Sequence, residues 1–260
     1  MAKQKRIIFF GAHPDDCELR FGGTALRLTQ AGHLVKFVSC CNGDKGHQSM
    51  TPEGLAARRY AEAQKSKEIA GLAEYQILDI PDCELVASLE NRHRIIRIIR
   101  AFKPDVVISH RTCDYHADHR AAGQLVQDAA YLVKVPLCCP DTPIPDENPV
   151  FACCYDGFTD PRPFRADAVI PIDDVLEKKL QMMDCHVSQF YEWLPWDKGY
   201  KDFDINKIDK RKWLMDNWIV PRNGKIAKTA GISAQYAEAF ELTPYGRQVS
   251  LEEFSALLNP

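Results

Sequence analysis

Arg6-Ile7-Ile8-Phe9-Phe10-Gly11-Ala12-His13-Pro14-Asp15-Asp16-Cys17-Glu18 runs from an apolar, strand-forming segment straight into a turn holding one histidine and two consecutive carboxylates. Ionisable side chains thus collect at the carboxyl end of a first strand, where open α/β sheets place their ligands. They cannot all be core residues, because burying unpaired carboxylates costs several kcal/mol unless a cation or hydrogen bonds compensate. The plainer alternative is a helix N-cap followed by solvated turn acids.

Outward from that stretch, short β-rich runs alternate with longer helical patterns. Strands are expected over 6–10, 34–40, 75–78 and 105–109, with helices over 23–31, 52–70 and 89–102, each ending near Gly32, Gly71 or Pro104. Repeated βαβ units of this kind predict an α/β fold, a Rossmann-like three-layer sandwich with a mainly parallel sheet. A helix over 120–132, a proline-rich loop over 136–149, strands over 150–155 and 168–171 and a helix over 173–186 extend the pattern. Beyond Val187 it weakens to four tryptophans (Trp193, Trp196, Trp213, Trp218) and an Ala237-Glu238-Ala239-Phe240 run that reads as a turn of helix. The expected organisation is a domain over 1–187 and a C-terminal extension over 188–260 that packs on it or at a subunit interface.

Composition excludes several classes. Hydrophobic residues make up 45% and charged residues 27%, as in folded globular chains, and the net charge of -3 offers no general attraction to nucleic acid or anionic lipid. With no signal-peptide core and no long apolar stretch, the expected compartment is the cytoplasm. The ten cysteines include three adjacent pairs, which do not form a spaced disulfide framework and read as reduced, mostly buried thiols.

A second cluster, Asp114-Tyr115-His116-Ala117-Asp118-His119, follows the strand over 105–109, so both clusters should open on one edge of the sheet. His116 and His119 lie three apart at a helix start, and either one could join His13 and Asp16. Two imidazoles and one carboxylate leave an open position for water and suit catalytic zinc, whereas structural zinc takes four closed, usually cysteine-rich ligands. Cys113-x-x-His116-x-x-His119 is a rival metal triad, weakened because Asp16 already supplies negative charge.

The segment His13-Pro14-Asp15-Asp16-x-Glu18, then Gly22-Gly23-Thr24, Asn42-Gly43-Asp44-x-Gly46 and His116-x-Asp118-His119 resemble, in order, the motifs of the LmbE-like (PIG-L-type) zinc N-deacetylase family over roughly residues 6–130. That resemblance implies a Zn2+-dependent hydrolase removing an N-acetyl group from an N-acetylglucosamine-type sugar. By position, it makes His13, Asp16 and His119 the metal ligands, Asp15 the general base, His116 the group facing the oxyanion and Arg59 a residue near the substrate. Asp44 and Asp118 are candidates for orienting the imidazoles. The expected partner is a small amino-sugar molecule, with no nucleic acid or membrane, and relatives' habits imply a homo-oligomer, a trimer or hexamer. The chain departs from the family at Arg20, where glycine is common, and at Cys17; both are expected at the pocket mouth, with consequences for substrate choice. The alternatives are an amidase acting on glucosamine-thiol conjugates and a non-enzymatic sugar- or nucleotide-binding protein. The second lacks support, because Gly22-Gly23 is not a dinucleotide-binding fingerprint.

Overall fold

The computed structural model describes residues 4–200 and 202–260. Seven strands form one sheet: β1 (Arg6–Gly11), β2 (Leu34–Ser39), β3 (Glu74–Ile77), β4 (Val106–Ser109), β5 (Val150–Cys154), β6 (Ala168–Pro171) and β7 (Ala237–Gly246). Their spatial order is β3-β2-β1-β4-β5-β7-β6. The first five are parallel neighbours, and β7 runs antiparallel between β5 and β6. The sequence's reading of 237–240 as helix is therefore corrected: these residues form the start of a strand buried inside the sheet. Alanine and glutamate favour helix locally, but two flanking strands supply the ladder that overrides them.

Alternation along β1 builds the sandwich. Ile7 and Phe9 face a core shared with Phe21, Phe37 and Phe240, while Ile8 and Phe10 face a second core with Ile95, Ile99 and Val107. The first face is covered by α1 (Asp16–Gln30) and α2 (Pro52–Ala70), the second by α3 (Leu89–Phe102) and α4 (Ala117–Leu132). Further along come α5 (Leu176–Asp184), α6 (Leu194–Asp197), α7 (Lys210–Leu214), α8 (Lys225–Ala230) and α9 (Leu251–Leu258), with wider π-helical turns over Ser188–Trp193 and Met215–Gly224.

Helix α1 starts seven residues before the expected 23. Gly22 and Gly23 stay inside it: a Cβ on Gly23 would lie 2.5 Å from Ile172 Cγ2, so the glycine serves close packing rather than a break. Beside it, Glu238 of β7 accepts from the Gly23 and Thr24 amides at 2.9 and 2.8 Å and pairs with the buried Lys179 at 2.5 Å. This ties the 188–260 segment to the first helix through the sheet itself. All ten cysteines are free thiols. Among the described residues no helix is long and apolar enough to cross a membrane.

The strand order reverses between β1 and β4, and the loops leaving those two strands carry both ionisable clusters. A crevice at this switch point is where the topology puts a ligand.

Candidate active site

Asp15 and Asp16 divide their work at the start of α1. Asp15 stands at the N-cap position but makes no capping hydrogen bond; its backbone takes φ 150° and ψ -23°, and its carboxylate accepts from Arg59 at 3.2 Å instead. A non-glycine residue in that conformation stores strain, and the N-cap reading of these acids does not hold for it. Arg59, 2% exposed, also donates to the Pro14 carbonyl at 2.9 Å and the Gly43 carbonyl at 3.3 Å. Expected beside the substrate, it does line the cavity, but its hydrogen bonds hold the 14–15 turn in place.

Asp16 Oδ2 accepts the backbone N–H groups of Ala12 and His13 at 3.0 and 2.9 Å. The same oxygen lies 3.5 Å from His13 Nδ1, 3.4 Å from His119 Nε2 and 3.6 Å from His110 Nε2. The opposite nitrogen of each outer imidazole is engaged: His13 Nε2 with Asp118 Oδ2 at 3.1 Å and His119 Nδ1 with Asp114 Oδ1 at 3.1 Å. Carboxylates behind two imidazoles leave the forward nitrogens free to ligate and fix their direction. His13 Nδ1 and His119 Nε2 thus lie within 3.5 Å of the same Asp16 oxygen.

His116 is the N-cap of α4, its Nδ1 accepting the Asp118 N–H at 3.2 Å. That bond places the imidazole proton on Nε2, on the side facing His13 and His119 at ring separations of 4.7 and 5.0 Å. His116 could alternatively join His13 and His119 in an all-imidazole group. Among the described residues Cys113 enters no group of three potential ligands, which removes the rival triad.

Asp118 is fully buried and also accepts the Cys83 and Leu85 amides at 2.7 and 3.3 Å. Its Oδ2 is the partner of His13 Nε2 at 3.1 Å. Asp44 works one step further out: it accepts the Asp82 N–H at 2.9 Å, and Asp82 in turn approaches His13 Nε2 at 3.3 Å.

The electrostatics agree with a cation site. Burial would lower the His13 pKa, but hydrogen bonds to Asp118 and Asp16 and the charge of Asp82 carry it up to about 10. Three carboxylates around one imidazole call for positive charge, which a proton or a metal between the donors supplies. Burial likewise pushes Asp16 up, and His119, His110 and His13 pull it well below the carboxylate range. His116 is lowered by burial and by its two histidine neighbours. Asp15 is pushed up to about 6 by burial, against the pull of Arg59.

Residues 8–130 match the family model of PIG-L, the GlcNAc-PI de-N-acetylases. The chain is also 31% identical over 200 residues to the diacetylchitobiose deacetylase of Thermococcus kodakarensis, covering 74% of each. The chain belongs to the PIG-L family. A probable N-acetyl-alpha-D-glucosaminyl L-malate deacetylase of Bacillus anthracis is 24% identical over 86% of this chain and 99% of that one. The solved N,N'-diacetylchitobiose deacetylase of Pyrococcus horikoshii superposes with a TM-score of 0.75 at 25% identity, over 92% of this chain and 84% of the other.

Above the donor set this PIG-L chain forms a cavity of about 390 Å³. One wall is aromatic and comes from the tail: Phe190, Trp193 and Trp218 line it, with Leu19, Leu194 and Tyr115. Two of the four tryptophans therefore face the pocket. Trp196, 56% exposed, stacks on Trp193 at 5.2 Å, and Trp213 packs against Phe203 and Trp218. Nothing in their spacing disclosed which would turn inward.

Of the two departures from the family pattern, Arg20 lines the cavity and Cys17 does not. Cys17 is buried between β1 and β2, within 3.8 and 3.9 Å of the Phe9 and Val38 carbonyls. Arg20, 7% exposed, lines the cavity beside the donors. Its Nε meets Asp16 Oδ1 at 3.3 Å, and its guanidinium reaches Asp114 Oδ2 at 3.7 Å. Asp82, Asp114, His110 and Arg222 were not singled out from the sequence. Two of them had a signal: His110 directly follows the strand over 105–109, and Asp114 stands two residues before His116 in the second cluster.

Asp118→Asn should keep the fold and lower metal affinity by about 10–100-fold, since an amide in that place cannot hold His13 Nε2–H as strongly. Competition with a chromogenic chelator measures it; unchanged affinity would remove Asp118 from the site.

Proposed function

We propose that this chain is a zinc-dependent hydrolase that removes the N-acetyl group from an N-acetylglucosamine-type sugar or its conjugate, acting in the cytoplasm on a small molecule. The observation that carries the reading is the convergence of His13 Nδ1, His119 Nε2 and Asp16 Oδ2 beside an Asp15 carboxylate that neither caps the helix nor joins the donors. Two nitrogens, one carboxylate oxygen and an open cavity side fit zinc better than a hard cation that prefers six oxygens. Zinc held by these three residues would supply Lewis acidity, lowering the pKa of a water and polarising the amide oxygen.

The chain's own groups do the rest. Asp15, held by Arg59, takes the proton of the attacking water and passes it to the departing amine nitrogen. His116 donates its Nε2–H to the oxygen that gains charge as the amide carbon becomes tetrahedral. Arg59 is a positioning residue, acting through Asp15. The aromatic wall offers the apolar face of a sugar ring a surface to stack on and excludes water from the reacting bond.

Acetate release from a panel of N-acetylated sugars and glycosides is the test, with thiol-conjugate amides included and a chelator control. Release from at least one acetylated sugar, abolished by chelator and restored by zinc, is expected. Cleavage confined to thiol conjugates would make the chain an amidase, and turnover unaffected by chelator would overturn the metal assignment. The homo-oligomer, trimer or hexamer, belongs to the same proposal; Trp196, exposed beside the cavity wall, is the side chain it would cover.

A further inference from the structure

Of the three adjacent cysteine pairs, Cys138-Cys139 is the one that lies away from any strand. Cys153 and Cys154 belong to β5, where successive side chains point to opposite faces of the sheet, and Cys40-Cys41 follows β2 directly with both residues buried. In the loop between α4 and β5, Cys139 takes φ 52° and its thiol turns to α3, 3.9 Å from the His93 carbonyl. There Cys138 Sγ, Cys139 Sγ and one ring nitrogen of His93 all lie within 4.8 Å of one another. Among the described residues this is the one group of three potential metal donors that shares no residue with the cavity above Asp16.

One buried side chain holds that loop against α3. Arg100, 1% exposed, donates from Nε to the Val133 carbonyl, from Nη1 to those of Cys139 and Thr142, and from Nη2 to those of Leu132 and Val135, at 2.8–3.2 Å. His93, Arg97 and Arg100 follow helical spacing and form one stripe of α3 facing the loop, where Arg97 Nε meets Asp141 Oδ2 at 2.7 Å. The donors are thus ordered before an ion arrives. Among the described residues the His93 imidazole makes no hydrogen bond, ion pair or ring contact, so its nitrogens are not claimed by another group.

Two sulfurs and one imidazole nitrogen are soft donors, and the group holds no carboxylate, which disfavours hard cations such as calcium and magnesium. Zinc closes its structural sites with four ligands, whereas this group supplies three. A cuprous ion is satisfied by three, and thiolates select it. Metal–thiolate bonds of about 2.3 Å set three donors about 4 Å apart, so small side-chain rotations close this group on an ion. Burial and the adjacent Cys138 push the Cys139 thiol up, against the charges of Arg97 and Arg100. A cation between the two sulfurs removes that mutual cost, and both thiol protons leave to solvent as it binds. We propose that His93, Cys138 and Cys139 hold a cuprous ion, at a site separate from the deacetylase centre and independent of that reading.

The test titrates the anaerobic, reduced protein, with zinc present, with copper(I) buffered by bicinchoninate, a chromogenic cuprous chelator. The parent should withhold about one copper per chain, and X-ray absorption at the copper edge should show two sulfur neighbours and one nitrogen. His13→Ala should withhold the same amount, because the cavity imidazoles are not used. So should Cys83→Ser, which removes the exposed thiol of the cavity. Cys138→Ser and His93→Ala should each surrender the copper to the chelator. Both positions are half-buried, so neither change empties the core, and melting curves taken without copper check that the fold persists. Acetate release is not read at any point, so failure of the deacetylase reading would leave this outcome unchanged. Copper surrendered by the parent, copper kept by both Cys138→Ser and His93→Ala, or copper lost only in Cys83→Ser would overturn the proposal.

Discussion

Asp15→Asn should reduce turnover by about 10²–10⁴-fold, the range general acid–base groups contribute, while leaving bound metal unchanged. Asparagine keeps the shape and can still accept from Arg59, so the strained turn survives, but it cannot take a proton from water. The side chain touches neither imidazole of the donor set; its hydrogen-bond partner is Arg59. Metal analysis alongside kcat separates the two roles: parent-like turnover would remove Asp15 from the mechanism, and loss of metal would make it a ligand. The parent's pH profile carries the same information. A base acts only when ionised, so activity should rise as pH climbs through the Asp15 pKa, which burial raises to about 6. A nearby cation pulls that value down, so the acid limb should lie at or below that pH and should be absent from the residual activity of Asp15→Asn.

His13→Ala should remove tight metal binding altogether. The parent is expected to carry about one zinc per chain, held by two imidazoles and a carboxylate. Without His13 only Asp16 and His119 remain of that set, and Asp118 and Asp82 lose the imidazole they face at 3.1 and 3.3 Å. After gel filtration the variant should contain essentially no zinc, by mass spectrometry. Stoichiometric zinc in it would refute this ligand set and point to Asp16, His110 and His119 as the holders.

The sheet's first half was legible because it is built from local signals. β1, β2 and β4 are apolar runs, α2 opens on Thr51 with Pro52 and closes on Gly71 at φ 65°, and α3 is capped by Ser88. The two ionisable clusters were legible for a related reason: each follows a strand directly, so topology alone brings them to one edge. What the sequence could not convey lies in long-range contacts. Ala237-Glu238-Ala239-Phe240 became a strand because β5 and β6 flank it. Arg20 sits one turn after Asp16 on α1, and only the fold shows that its guanidinium meets both Asp16 and Asp114. Asp82 follows a short strand in an ordinary Pro-Asp turn, and its approach to His13 depends on Asp44 holding its backbone from another loop. Trp193, Trp218 and Arg222 reach the cavity through π-helical turns, whose wider spacing no amphipathic period reveals.

The placement of β7 also sets a timetable for biosynthesis. Emerging from the ribosome, β5 has β4 on one side and an open edge on the other, and β6 has no ladder neighbour at all until residues 237–246 are made. An unpaired strand edge is a template for joining another chain. The nascent protein therefore carries an adhesive margin for the whole of the synthesis between residues 154 and 237, and the cavity wall formed by Trp193, Trp218 and Arg222 cannot settle until that margin closes. A chain halted before β7 should be recovered in aggregates rather than as a smaller, open-pocketed enzyme. Quality control of this protein is thus vested in its last strand.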